Sequence, residues 1–195
     1  LSVTLASKWQ GCKTTVVVPK TAPDAKKETC KGWGAEVFEE GDTYDDAYRL
    51  ARRLEQETGK SYVHPVADTD VIAGQGTIGL EILEQLPQVK HVVVPLGGGG
   101  LVCGIAIAIK MMRPSVKITA VQPEGSAVYY CSIKENRIVE LDEVHTIADG
   151  LTLKKPEPFM LELIKKWVDD VVLVREETIK KAIRLSLFKG KLIVE

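Results

Sequence analysis

Short apolar runs alternate along this chain with longer segments whose apolar residues recur at every third or fourth position. The short runs predict buried strands, and the helical spacing predicts amphipathic helices. We expect strands over residues 14–19, 35–38, 61–64, 91–96, 117–122 and 170–174. We expect helices over residues 1–10, 23–33, 42–58, 71–86, 101–112, 126–134, 156–168 and 176–189. This alternation of strands and helices predicts an α/β fold built on parallel sheet.

The segment 42–58 has the clearest helical pattern of the chain. Tyr44, Ala47 and Leu54 lie on one face at helical spacing, and Gly59 follows as a C-terminal stop. From this spacing we expect Tyr44 to pack into the core, with the charged residues on the outer face.

The strand–helix units fall into two blocks. Residues 65–70 are polar and irregular, so they are the candidate crossing between a lobe over 1–66 and a lobe over 67–195. The chain opens in what resembles a helix without a cap residue and closes in an apolar run. We therefore expect a fragment of a larger protein whose N-terminal part is missing.

Composition and charge narrow the class of protein. The 195 residues carry a formal net charge of −1, so we expect neither a nucleic-acid partner nor a membrane-surface role. No uncharged apolar stretch approaches about 18 residues, so no membrane span is predicted. The cysteines and histidines lack metal-binding spacing, which favours free thiols in a reducing cytoplasm, histidines that are structural or solvated, and no metal site. These residues are Cys12, Cys30, Cys103, Cys131, His64, His91 and His145.

Four consecutive glycines, Gly97–Gly100, lie between an apolar strand and an apolar helix. Glycine lets backbone N–H groups converge on an anion, and the following helix N-terminus adds free donors and a positive dipole end. A bound phosphate is the preferred interpretation, and a tight turn that binds nothing is the alternative. A dinucleotide fingerprint fits poorly because Cys103 occupies the place of its third glycine, and no Gly-Lys-Ser/Thr follows to make a P-loop.

Three motifs together resemble one enzyme family. They are Ile72–Glu81 (IAGQGTIGLE), Pro95–Leu101 (PLGGGGL) and Thr146–Gly150 (TIADG). In this order, over essentially the whole chain, they are similar to the fold-type II pyridoxal-phosphate enzymes, above all the threonine/serine dehydratases and serine racemase. The resemblance implies a two-lobed, tryptophan synthase β-like fold with parallel sheets. It also implies pyridoxal 5′-phosphate as the cofactor, held by the lobe over 67–195, with 1–66 as part of the small lobe.

The resemblance assigns roles to individual positions. Gly97, Gly98, Gly99, Gly100 and Leu101 would offer backbone N–H groups to the cofactor phosphate. Gly150 would lie beside the cofactor ring with its carbonyl near the substrate, and Glu195 would lie near the pyridine ring. Residues 74–77 would close the site near the crossing between the lobes. Close helix packing is the equally supported interpretation of Gly74 and Gly76.

Two motifs of that family do not occur in these 195 residues. They are the Ser-Phe-Lys-x-Arg-Gly motif of the Schiff-base lysine and the Ser-Ser-Gly-Asn-His loop that grips the substrate carboxylate. The Ser or Cys that meets the pyridine nitrogen would follow Glu195. No catalytic residue is therefore assigned, and we expect the 195 residues alone to be inactive.

The resemblance implies an L-threonine/L-serine dehydratase that gives a 2-oxo acid and ammonia from a small amino acid. Serine racemases of animal type place a metal-binding glutamate where this chain has Gln122, and Val128 cannot bind a metal. A serine racemase and a phosphate-binding module without catalysis stay open as alternatives. By analogy with the family we expect a homo-oligomer.

Overall fold

The computed structural model describes residues 1–194, apart from the side chain of Asp45, and divides the chain into two compact units. The first is Leu1–Val63 and the second is His64–Glu195. Each unit contains its own parallel sheet with helices, so the α/β class and parallel pairing that the sequence predicts are confirmed.

The first unit is a two-stranded parallel sheet with three helices. Its elements are α1 Ser2–Trp9, β1 Thr15–Val18, α2 Asp24–Gly32, β2 Glu36–Glu39 and α3 Tyr44–Thr58. Strand β1 pairs with β2 in a register that places Thr15 beside Glu36. The Thr43 side chain caps α3, and Gly59 ends it with a left-handed φ of 68°.

Two details of the first unit differ from the sequence prediction. Residues 61–64 form no strand, because the Tyr62 N–H donates to Glu55 Oε1 at 3.1 Å rather than to a neighbouring strand. Tyr44 is not a core residue: it is 52% exposed and its ring stacks on that of Tyr48, with 6.2 Å between centroids. The expectation that it packs into the core was wrong, although Ala47 on the same helix is buried.

The second unit is a three-stranded parallel sheet in the order β3–β4–β5 with helices around it. Its elements are α4 Thr69–Gln85, β3 His91–Pro95, α5 Gly100–Met112, β4 Lys117–Pro123, α6 Val128–Glu135, α7 Pro158–Trp167, β5 Asp170–Val174 and α8 Glu176–Phe188. Three-residue 3-10 turns at Glu124–Ser126 and Asp149–Leu151 lie in its connections. The registers place His91 beside Lys117 and Thr119 beside Asp170.

Helix α5 is the centre of the second unit's core. Its side chains at Val102, Cys103, Ala106 and Ile109 are fully buried, as expected for a helix that packs on a sheet and on neighbouring helices. This burial fixes the start of α5 firmly in the unit, and the start of α5 is where the glycine run lies.

Helices α4 and α5 approach each other through glycines. A Cβ at Gly76 would lie 3.3 Å from the Gly104 carbonyl oxygen, and one at Gly104 would lie 2.8 Å from Gly76 N. Gly76 is therefore a packing residue, whereas a Cβ at Gly74 would meet nothing within 4 Å.

Among the helices of residues 1–194, none combines the length and apolarity that crossing a membrane requires.

Candidate functional site

The glycine turn, Gly97–Gly100, lies at the carboxyl end of β3. Leu96 N–H donates to Val121 O at 2.8 Å, so the pairing of β3 with β4 continues to the residue before the turn. Gly99 then takes a φ of 100°, a left-handed value that disfavours residues with a Cβ, and Gly100 begins α5. The strand, the turn and the helix together place the glycine backbone at the sheet edge where open α/β folds bind ligands.

The backbone N–H groups of this turn are free to bind an anion. The first hydrogen bond into α5 runs from Cys103 N–H to Gly99 O at 2.9 Å. Within residues 1–194, no carbonyl accepts from the N–H groups of Gly97, Gly98, Gly99, Gly100 or Leu101. Orphan donors at a helix start, added to the positive dipole end of the helix, match the chemistry of a phosphate.

Side chains are excluded from the turn by close neighbours. A Cβ at Gly97 would lie 2.9 Å from the Gly150 carbonyl oxygen, and one at Gly98 would lie 2.7 Å from Val66 Cγ2. A Cβ at Gly99 would lie 3.2 Å from Met160 Cε. These three positions therefore require glycine. The unpaired N–H groups of the turn fit the phosphate of pyridoxal 5′-phosphate.

The structure brings Gly150 next to the glycine turn, although the two are far apart in sequence. Gly150 lies in the turn Asp149–Leu151, and its carbonyl oxygen is the nearest neighbour of a Cβ built on Gly97. The predicted phosphate-binding and ring-facing residues are thus parts of one surface.

Ser126, which the sequence analysis missed, holds the turn Asp149–Leu151 from one side. Its hydroxyl is fully buried, donates to the carbonyls of Leu151 or Leu153 at 3.1 and 3.2 Å, and accepts from Leu153 N–H at 3.0 Å. A serine between a strand and a helix carries no pattern that predicts this role, because its partners come from a distant loop.

Glu176, at the start of α8, holds the same loop at Ile147. Its Oε2 accepts from Ile147 N–H at 2.9 Å. The Ile147 N–H, followed by the Thr146 hydroxyl, lowers the pKa of the Glu176 carboxyl below its ordinary value. The carboxylate therefore stays ionised and tied to the loop at neutral pH.

Tyr129 on α6 was also missed. Its side chain is fully buried, and its hydroxyl donates to the Gly98 carbonyl oxygen at 2.8 Å. Burial raises the pKa of Tyr129, so the phenol stays protonated and acts as a donor. The sequence predicts a helix over residues 126–134 and gives no sign of where the Tyr129 hydroxyl points.

Two of the three histidines have structural partners, and Cys103 lies in the core. His64 Nδ1 accepts from Ala67 N–H at 2.8 Å, and His91 Nε2 lies 2.8 Å from Thr119 Oγ1. Cys103 is buried, and burial raises the pKa of its thiol to about 12. Among residues 1–194, with the side chain of Asp45 left aside, no group of three or more His, Cys, Asp or Glu could hold a metal ion.

Gln122 and Val128 are the two residues compared above with the metal site of animal-type serine racemases. Gln122 is fully buried and its Oε1 accepts from Tyr130 N–H at 3.1 Å, while Val128 is part of the core. Both side chains are thus committed to the interior. Glu195, by contrast, lies outside the described residues, and its role near the pyridine ring stays a prediction.

Comparisons with known proteins identify the family. The family described as "Pyridoxal-phosphate dependent enzyme" matches residues 1–195. The L-threonine ammonia-lyase of Thermotoga maritima is 45% identical over 193 residues, which are 99% of this chain and 48% of that protein. The chain spans about half the length of the curated relatives it matches.

Solved structures agree with this match. Maize serine racemase is similar with a TM-score of 0.95 and 34% identity, covering 100% of this chain and 59% of that one. The processed form of threonine deaminase isoform 2 from Solanum lycopersicum has a TM-score of 0.92 and 36% identity, covering 99% and 53%. The fold-type II resemblance carried by the three motifs is confirmed, and this chain belongs to the family of pyridoxal-phosphate-dependent enzymes.

Proposed function

We propose that the protein carrying this chain is an L-threonine/L-serine ammonia-lyase that uses pyridoxal 5′-phosphate and releases a 2-oxo acid and ammonia. The observation that carries the proposal is the 45% identity with an L-threonine ammonia-lyase over 99% of this chain. The juxtaposition of the glycine turn with Gly150 supports it, because both turns belong to the motifs that point to this reaction.

In this proposal the chain's main task is to hold the cofactor phosphate. The N–H groups of Gly97, Gly98, Gly99, Gly100 and Leu101 donate to the phosphate oxygens, and the positive end of α5 offsets their charge. The Gly150 carbonyl lies next to Gly97, and in this proposal it would lie beside the cofactor ring, near the substrate.

Bound pyridoxal phosphate supplies an electron sink for breaking the bond between the substrate Cα and its hydrogen. Removing that proton requires a base, and the Ser-Phe-Lys-x-Arg-Gly motif is not found in these 195 residues. We therefore assign binding and orientation to this chain and no proton transfer. Glu195 is proposed to lie near the pyridine ring.

Serine racemase is the alternative that the similarity to the maize enzyme supports. The buried amide of Gln122 and the core position of Val128 argue for the dehydratase, because neither side chain offers a charged oxygen to a divalent cation. We propose a small amino acid as the substrate, a cytoplasmic location and a homo-oligomeric assembly.

The test measures both reactions on the full-length protein that carries this chain, after loading with pyridoxal phosphate. We expect release of 2-oxobutyrate from L-threonine and of pyruvate from L-serine, with ammonia in equal amount. Magnesium-dependent formation of D-serine in place of these products would favour the racemase. Absence of any absorbance from bound cofactor would favour a phosphate-binding module without catalysis.

A chimera tests the chain itself. The 193 matched residues of the T. maritima ammonia-lyase are replaced with those of this chain, and the chimera should deaminate L-threonine. The isolated 195-residue chain should release no 2-oxobutyrate. The assignment of binding to this chain and of proton transfer to residues outside it would be contradicted in two ways. One is a chimera that folds and binds the cofactor but is inactive, and the other is activity of the isolated chain.

A further inference from the structure

The glycine turn is supported by a side chain that no part of the proposed reaction uses. Tyr129 approaches from α6, and its hydroxyl donates to the carbonyl of Gly98 at 2.8 Å. The same hydroxyl would lie 3.5 Å from a Cβ at Gly99. A fully buried phenol thus hydrogen-bonds Gly98 and lies close to Gly99.

This bond has a consequence for the next N–H group. The Gly98–Gly99 peptide is trans and planar, so its C=O and N–H point in opposite directions. When the Gly98 carbonyl points at the Tyr129 hydroxyl, the Gly99 N–H must point away from it. Within residues 1–194 no carbonyl accepts from that N–H, so it has no backbone partner in the fold.

Glycine needs such a constraint more than other residues do. Without a Cβ, each residue of the turn has access to a wide range of backbone angles, and the peptide between two glycines can flip at small steric cost. A flip of the Gly98–Gly99 peptide would turn a carbonyl oxygen toward the phosphate and repel it. The hydroxyl of Tyr129 opposes the flip because it would lose its acceptor in a buried site.

We infer that Tyr129 is a positioning residue for the phosphate site: its hydroxyl, through the Gly98 carbonyl, aims the Gly99 N–H at the cofactor phosphate. The inference rests on the proposed function, because it takes pyridoxal phosphate as the ligand of the turn. Burial keeps the phenol protonated, so the donor is present throughout the neutral and mildly alkaline range.

The test is Tyr129→Phe in the full-length protein, with Tyr130→Phe as the matched control. Tyr130 is the adjacent residue of the same helix, and its hydrogen bond to Gln122 uses its backbone N–H, which the substitution keeps. Two ligands are titrated into each apoprotein: pyridoxal 5′-phosphate, and pyridoxal, which has the same aldehyde ring and no phosphate.

We expect Tyr129→Phe to weaken binding of pyridoxal phosphate about tenfold, the equivalent of one buried hydrogen bond, while pyridoxal binding changes less than about twofold. The ³¹P resonance of the bound phosphate should shift in the same variant. Tyr130→Phe should leave both affinities and the resonance as in the wild type.

Equal losses for both ligands would overturn the inference, because they would indicate a general structural role. Wild-type affinity and an unshifted ³¹P resonance in Tyr129→Phe would overturn it as well. Failure of the wild-type protein to bind pyridoxal phosphate would instead refute the proposed function, so the two failures are distinguishable.

Discussion

Gly97→Ala is expected to separate the two turns that form the candidate site. The added Cβ would lie 2.9 Å from the Gly150 carbonyl oxygen and 3.0 Å from Leu151 Cα, whereas ordinary contact begins at 3.4 Å. Both neighbours are backbone atoms, so no side chain can rotate away and one of the turns must move. Overpacking of this kind costs about 1–3 kcal/mol.

The displacement of either turn should also weaken cofactor binding. If the shift is borne by the glycine turn or by Gly150, the affinity for pyridoxal phosphate should fall about 10- to 100-fold. Equilibrium unfolding in urea measures the first effect, and titration of the apoprotein with the cofactor measures the second.

Gly32→Ala is the matched control for this substitution. Gly32 is the last residue of α2, and a Cβ there would meet nothing within 4 Å. Alanine at this position should leave cofactor affinity unchanged and raise stability by no more than about 1 kcal/mol. Wild-type stability and cofactor affinity in Gly97→Ala would refute the contact between the two turns.

Three further substitutions test the supports around the site. Gly104→Ala should destabilise the protein by about 1–3 kcal/mol in urea unfolding, since its Cβ would press on the backbone of α4. Ser126→Ala should cost about 1–3 kcal/mol and loosen the loop around Leu153, seen as faster amide exchange there, because buried partners lose their hydroxyl. Glu176→Gln should flatten the pH dependence of stability below about pH 4.5. The Ile147 N–H lowers the folded-state pKa of Glu176, so its stabilisation is present above the unfolded pKa and is lost as pH falls through the folded value. An unchanged acid profile would contradict this.

The local sequence pattern predicted the strand and helix that flank the glycine turn well. The strand before the glycine turn and the helix after it differ from prediction by one residue at most, because Pro95, the glycines and the apolar run of α5 are sufficient cues. The motif containing Gly150 was placed near the cofactor by resemblance to the family. Its direct contact with Gly97 required the folded chain, since no local pattern encodes which distant loop meets a turn.

The two wrong predictions concern residues whose sequence pattern gives the spacing of a helix or strand but not the residues that they contact. Tyr44 has the spacing of a core residue, yet it stacks on Tyr48, which in turn meets Tyr62 edge-on with 5.7 Å between centroids. The run 61–64 has strand-like composition, but α3 supplies an acceptor for the Tyr62 N–H before any strand does. In both cases tertiary contacts overrode a local preference.

The contacts around the glycine turn explain how four glycines can form a fixed site. A run of glycines has the largest conformational entropy to lose on folding, so ordering it needs specific contacts at each residue. Gly97 abuts the Gly150 carbonyl, Gly98 accepts from Tyr129, and Gly99 packs against Met160.

Each of these three contacts comes from a different part of the second unit, and those of Tyr129 and Met160 come from fully buried side chains. The carbonyl groups and the α-carbons are thereby held, while the N–H groups keep no partner within residues 1–194. Because the turn is ordered by the fold, a phosphate binding there need not supply the ordering free energy itself. Variants that release one contact should therefore bind the phosphate more weakly, because part of the binding free energy must then order the turn.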